Sequence, residues 1–136
     1  MDRKNILLLG AGDLMYRSIL KLRSAGYKVF AVDKNPESFG FKFTDGYQVV
    51  DIVDEASITA YAKKIDAQCI VAANDAGVLA AAISSEKLGL KNISVRTAQI
   101  ATDKGLMRET WKKDNLSQPV FVILTPFSQR RPKALS

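Results

Sequence analysis

The sequence predicts an α/β fold: a doubly wound parallel sheet with helices on both faces. Three observations carry that expectation. Short continuous apolar runs, of which "NILLLG" (Asn5 to Gly10) is the first, have the form of strands buried on both faces. Stretches with helical spacing separate these runs, so strand and helix alternate from residue 5 to residue 115. A glycine turn, Gly10 to Gly12, joins the first run to the first helical stretch. Crossovers in such a sheet are right-handed, and the expected strand order is 3-2-1-4-5. The order reverses between strands 1 and 4, so a ligand belongs at the carboxyl ends of those strands.

The elements follow in order. "DLMYRSILKLRSAG" places Met15, Ile19 and Leu22 at helical spacing, with Arg17 and Lys21 on a more polar side and Gly26 as the stop. "YKVFAVD" (Tyr27 to Asp33) is the second strand, ended by a turn at Pro36. "YQVVDI" is the third strand. "EASITAYAKKI" is a helix with Asp54 placed as its N-cap. "AQCIVAA" is the fourth strand. "AGVLAAAISSEKLG" is an alanine-rich helix whose small residues let it lie close to a sheet. "ISV" (Ile93 to Val95) reads as a short fifth strand. "ATDKGLMRETWKKDNLSQPVF" (Ala101 to Phe121) reads as an amphipathic helix ending before a proline, then the start of a strand.

Composition narrows the function. The 136 residues are 47% apolar and 25% charged, the make-up of one globular domain with a real core. No apolar run has the length of a membrane span, and the charged N-terminus leads into a strand and a glycine turn rather than a cleavage site. A cytoplasmic domain with no membrane partner is expected. Cys69 is the one cysteine, so no disulfide framework exists. There is no histidine, which removes Ser/His/Asp and Cys/His catalysis and the commonest zinc ligand. No catalytic residue and no metal ligand is assigned. The net charge is +6, but the basic residues are scattered, with one cluster at Arg130 to Lys133. Scattered cations are solvated surface, and nucleic acid is not an expected partner.

The glycine loop is the first candidate site. Gly10 and Gly12 supply the tight turn and close backbone approach of a phosphate loop. Asp33 ends strand 2 where a ribose-binding acid is expected. Two departures count against a dinucleotide. Met15 stands where the third glycine belongs. Asp13 puts a carboxylate at the helix N-terminus, where as an N-cap it would satisfy the N–H groups a phosphate needs. A turn with an N-cap and no ligand, or a different small ligand, are the other readings. Asn74 and Asp75 end strand 4 at the same sheet edge, as do Asn35 and Glu37 after strand 2. Together they outline a pocket, although turn chemistry alone also favours Asp and Asn at strand ends.

The order of "ILLLGAGDL", "VFAVDKNPES", "YQVVDIVDEASI", "DAQCIVAANDAG", "EKLGL" and the "DKGLMRE…P" helix resembles the N-terminal, Rossmann-like domain of ATP-grasp ligases of the carbamoyl-phosphate synthase and biotin carboxylase type. The resemblance runs to about residue 122, and its most specific part is Asp103, Lys104, Met107, Arg108, Pro119 and Phe121. It implies that residues 1–118 form a pre-ATP-grasp domain. Residues 119–136 would be a hinge strand and tail leading to ATP-grasp subdomains that this chain lacks. It implies a fragment of a ligase that joins a carboxylate to an amine through an acyl-phosphate, inactive by itself. ATP and magnesium would act in the full-length parent, with no tight binding to this portion. By the same resemblance Lys104 reaches the nucleotide. Gly10, Gly12, Asp13, Leu14, Asp33, Asn74 and Asp75 would face a small-molecule carboxylate or amine substrate. The competing readings are a Rossmann module sensing NAD or AMP and an NAD-dependent oxidoreductase; the "DKGLMRE" helix favours the ligase. The apolar stretch Pro119 to Phe127 would be uncovered here and is expected to pair with a second copy, giving a homodimer.

Overall fold

Asn5–Leu9 (β1), Lys28–Asp33 (β2), Gly46–Val49 (β3) and Ala67–Ala72 (β4) pair in parallel, in the order β3-β2-β1-β4, in the computed structural model, which describes residues 3–124. Leu7 of β1 lies opposite Phe30 of β2 and Ile70 of β4. Leu7, Leu8 and Leu9 are wholly buried, as the continuous apolar run requires of a central strand. The helices are Tyr16–Ser24 (α1), Glu55–Lys64 (α2), Asp75–Lys87 (α3), Val95–Thr102 (α4) and Lys104–Lys113 (α5). Short 3-10 turns occupy Asp13–Met15 and Phe39–Phe43.

Side chains alternate across β1, so its two faces feed two cores. Leu7 and Leu9 pack with Ile58 and Ala62 of α2 and Ala80 and Ala81 of α3. Leu8 packs with Ile19 of α1 and with Phe41 of the second 3-10 turn. The sheet is therefore doubly wound, as expected. In α3, a Cβ on Gly77 would stand 3.4 Å from the Cβ atoms of both Leu9 and Ala72, so the small-residue helix does lie close on the sheet. Asp54 caps α2 as expected, its Oδ1 accepting the Ser57 N–H at 3.1 Å.

The structure corrects four expectations. No fifth strand is present among the described residues. Asn92 Nδ2 donates to the Ile70 carbonyl at 3.1 Å, so a side chain takes the place of one ladder bond at the free edge of β4. Ile93 N–H is taken by Asn92 Oδ1 at 2.8 Å, and Ser94 Oγ accepts the Thr97 N–H at 3.0 Å as the cap of α4. These local bonds outcompete a three-residue strand. Secondly, Asp13 is not an N-cap. It lies inside the 3-10 turn, whose N-cap is Gly12, and neither that turn nor α1 has a side-chain cap. Thirdly, the helix expected from Ala101 begins only at Lys104: Ala101 and Thr102 close α4, and the Asp103–Lys104 pair opens α5, as the resemblance implies, with Asp103 accepting the Leu106 N–H at 2.9 Å. Finally, residues 119–124 carry no strand. Val120 is fully exposed and Val122 is 78% exposed, whereas Ile123 leans back toward Gly105 of α5. Residues 125–136, the remainder of the expected hinge and tail, lie outside the described residues. The outer layer is stepwise: α4 packs on α3, α5 packs on α4, and α5 has no buried residue.

Candidate functional site: a crevice at the carboxyl edge of the sheet

β1 leaves the sheet through Gly10, whose φ of +103° lies in the region open to glycine. The Gly10 N–H donates to the Val32 carbonyl at 2.8 Å. The next N–H, that of Ala11, donates to Asp33 Oδ2 at 2.8 Å, and Asp33 Oδ1 accepts the Asn35 N–H at 3.0 Å. Asp33 thus ties the glycine loop to the end of β2. Burial pushes its pKa up, but the N–H groups of Ala11 and Asn35, the Ser38 hydroxyl and the Lys34 charge outweigh burial and hold it below the ordinary value.

The second 3-10 turn fixes the loop from the other side. Gly40 N–H donates to the Ala11 carbonyl at 2.7 Å. A Cβ at Gly40 would come within 2.5 Å of that oxygen, so only glycine permits the approach. On the side of β4, the Ala73 N–H donates to the Leu9 carbonyl at 3.1 Å. Asn74 then caps α3, its Oδ1 accepting the Gly77 N–H at 3.2 Å, and its amide nitrogen lies beside Gly10.

Two hollows flank this junction. One, of ≈ 450 Å³, is lined by Gly10, Asp33 and Asn74 with Lys34, Asp51, Ile52, Val53 and Ala76. The other, of ≈ 490 Å³, is lined by Gly10, Asp33 and Asn74 with Gly12, Asp13, Leu14, Met15 and Ala73. Gly10, Asp33 and Asn74 are common to both, at the point where strand order reverses. Six of the seven expected substrate-side residues therefore line these adjoining hollows, which meet at Gly10, Asp33 and Asn74 to form a crevice at the sheet edge. Asp75 lines neither hollow, and Lys104, exposed at the start of α5, lines neither.

Sequence reasoning missed Lys34, Asp51 and Gly40. Asp51 was within reach, because it follows the third apolar run as Asp33 ends the second. Its Oδ1 accepts the Val53 N–H at 3.3 Å, and it adds a carboxylate to the floor of the first hollow. The crevice offers carboxylates from Asp13, Asp33 and Asp51, one ammonium from Lys34 and the Asn74 amide. That set suits hydrogen bonding to a small polar molecule. Among the described residues no group of His, Cys, Asp or Glu is placed to hold a metal ion.

No family model matches the sequence. The formate-dependent phosphoribosylglycinamide formyltransferase of Prochlorococcus marinus (strain MIT 9515) is 26% identical over 113 residues, which cover 82% of this chain and 29% of that protein. The crystal structure of phosphoribosylglycinamide synthetase from Anaerococcus prevotii superposes with a TM-score of 0.75 at 23% identity, covering 84% of this chain and 30% of the other. The L-amino acid ligase from Bacillus licheniformis superposes with a TM-score of 0.77 at 12% identity, covering 99% and 36%. The chain spans less than a third of the length of the curated relatives it matches. In sequence and in fold, then, its relatives are ATP-grasp ligases, and it matches them as a partial, N-terminal domain.

Proposed function

We propose that this chain is the substrate-side domain of an ATP-dependent ligase that joins a carboxylate to an amine through an acyl-phosphate. The observation that carries the reading is the convergence of Gly10, Asp33 and Asn74 on one crevice at the switch point of the sheet. In this reading the loop backbone and the Asn74 amide orient the substrate, and Asp13 and Asp51 accept hydrogen bonds from its amine or hydroxyl groups. Asp75 belongs to the same strand end and supports the start of α3. Lys104 serves the nucleotide side, as a point charge for phosphate. ATP and magnesium act on further subdomains of the parent protein, which supply the phosphoryl-transfer machinery. No helix among the described residues is long and apolar enough to cross a membrane, and the reading places the protein in the cytoplasm. Its other partner is a second copy of the chain.

The commitment of both Asp33 oxygens to backbone N–H groups bears on the competing NAD or AMP sensor. A ribose diol would meet a carboxylate already engaged by the loop. The test of the ligase reading is kinetic, on the full-length parent. Asn74→Ala and Asp51→Asn are expected to raise KM for the ligated substrate and leave KM for ATP unchanged, with Lys104→Ala doing the reverse. A matching loss of ATP affinity in all three variants, or a thermal shift of the present chain with NADH or AMP, would reverse the assignment.

A further inference from the structure

Among the described residues, the edge strand β3 pairs with β2 alone, and Tyr47 and Val49 are 53% and 47% exposed. Proteins blunt such edges with lysine, proline or a bulge, and "GYQV" has none of these. Bonding sense alternates along a strand. The Asp45 N–H donates inward to the Val29 carbonyl, so Tyr47 shares that sense, and Gly46 and Gln48 turn their N–H and C=O groups outward. Beside the edge, Tyr47 stacks on the buried Phe41 ring at 4.2 Å between centroids. A groove of ≈ 520 Å³ opens there, and Glu37 and Lys42 both line it.

We propose that two copies of this chain join through β3, antiparallel, across a two-fold axis at Tyr47. The inference goes beyond the ligase reading and does not depend on it. Gly46 and Gln48 stand one residue either side of Tyr47, so antiparallel pairing sets Gly46 of each copy opposite Gln48 of the other. Four main-chain hydrogen bonds close, and the two Tyr47 rings face each other at the close, non-hydrogen-bonded position. A groove that holds both signs of charge is complementary to itself. The two-fold offers Lys42 of one copy to Glu37 of the other, and the reverse. The exposed stretch 119–124 is the weaker surface, because Ile123 is already turned to its own domain.

Light scattering on the full chain tests this. The wild type is expected at twice the mass of one chain. Glu37→Lys and Lys42→Glu should each give monomers, since each single change sets like charges together twice. An equimolar mixture of these two variants should restore a dimer, because each then finds the opposite charge at both contacts. Val122→Lys should stay dimeric. A monomeric wild type, dimeric single variants, a mixture that remains monomeric, or a monomeric Val122→Lys would each overturn the proposal.

Discussion

A methyl group on Gly40 would stand 2.5 Å from the Ala11 carbonyl oxygen, the atom that accepts the Gly40 N–H. The clash is with backbone and cannot be relieved by a rotamer. Gly40→Ala is therefore expected to cost about 1–3 kcal/mol, read as a lower urea midpoint, and to shift the amide resonances of Ala11 and Gly12. Asp33 acts from the opposite side of the loop. Asp33→Asn removes charge from an acceptor of two N–H groups and should cost about 1–3 kcal/mol at neutral pH. Because Asp33 is more acidic folded than unfolded, its contribution is complete above its ordinary value of 3.8 and is lost as pH falls through the lower folded value. Stability curves of the wild type and Asp33→Asn should thus converge on acidification below that point, and a constant gap would refute the tether. Gly10 and Asp33 were legible in the sequence because they punctuate strand ends. Gly40 was not, since its requirement comes from a contact with residue 11 that no local pattern encodes.

The helices were legible where one signal governed them. Asp54 precedes an amphipathic run, and the alanine-rich run has its sheet-facing glycine at Gly77. The region after Lys91 was misread because local side-chain bonding competes there with apolar pattern. Asn92, Ser94 and Asp103 each bind nearby backbone, and two short helices replace a strand and one longer helix. Ser94→Ala and Asp103→Ala are each expected to cost about 1 kcal/mol, measured by thermal unfolding. Gly77 gives a sharper contrast. Alanine there sits at ordinary contact with Leu9 and Ala72, so Gly77→Ala should be neutral or stabilising by up to about 1 kcal/mol. Gly77→Leu should push α3 off the sheet and lose about 1–3 kcal/mol, and equal melting temperatures for the two variants would contradict the packing.

The strand order 3-2-1-4 was legible because alternating elements and right-handed crossovers leave few arrangements. The crevice followed from that order, whereas the position of Lys104 away from it did not. Phosphoryl transfer needs a clamp of cations around the γ-phosphate, and the crevice presents one lysine among three aspartates. The present chain is expected to release no phosphate from ATP-Mg above background, with Lys104→Ala indistinguishable from wild type. Steady release abolished by that substitution would show a working nucleotide site in these 136 residues.

The stepwise outer layer has a consequence for how the molecule opens. The sheet shares its cores with α1, α2 and α3, but α5 packs chiefly on α4 and buries no residue. Opening α5 therefore exposes little apolar surface and leaves the cores intact. Amide hydrogen exchange should be slowest in β1, faster in α4 and fastest in α5, as separate cooperative units rather than one. A helix that detaches this easily can change its companion without disturbing the two cores on which the crevice stands.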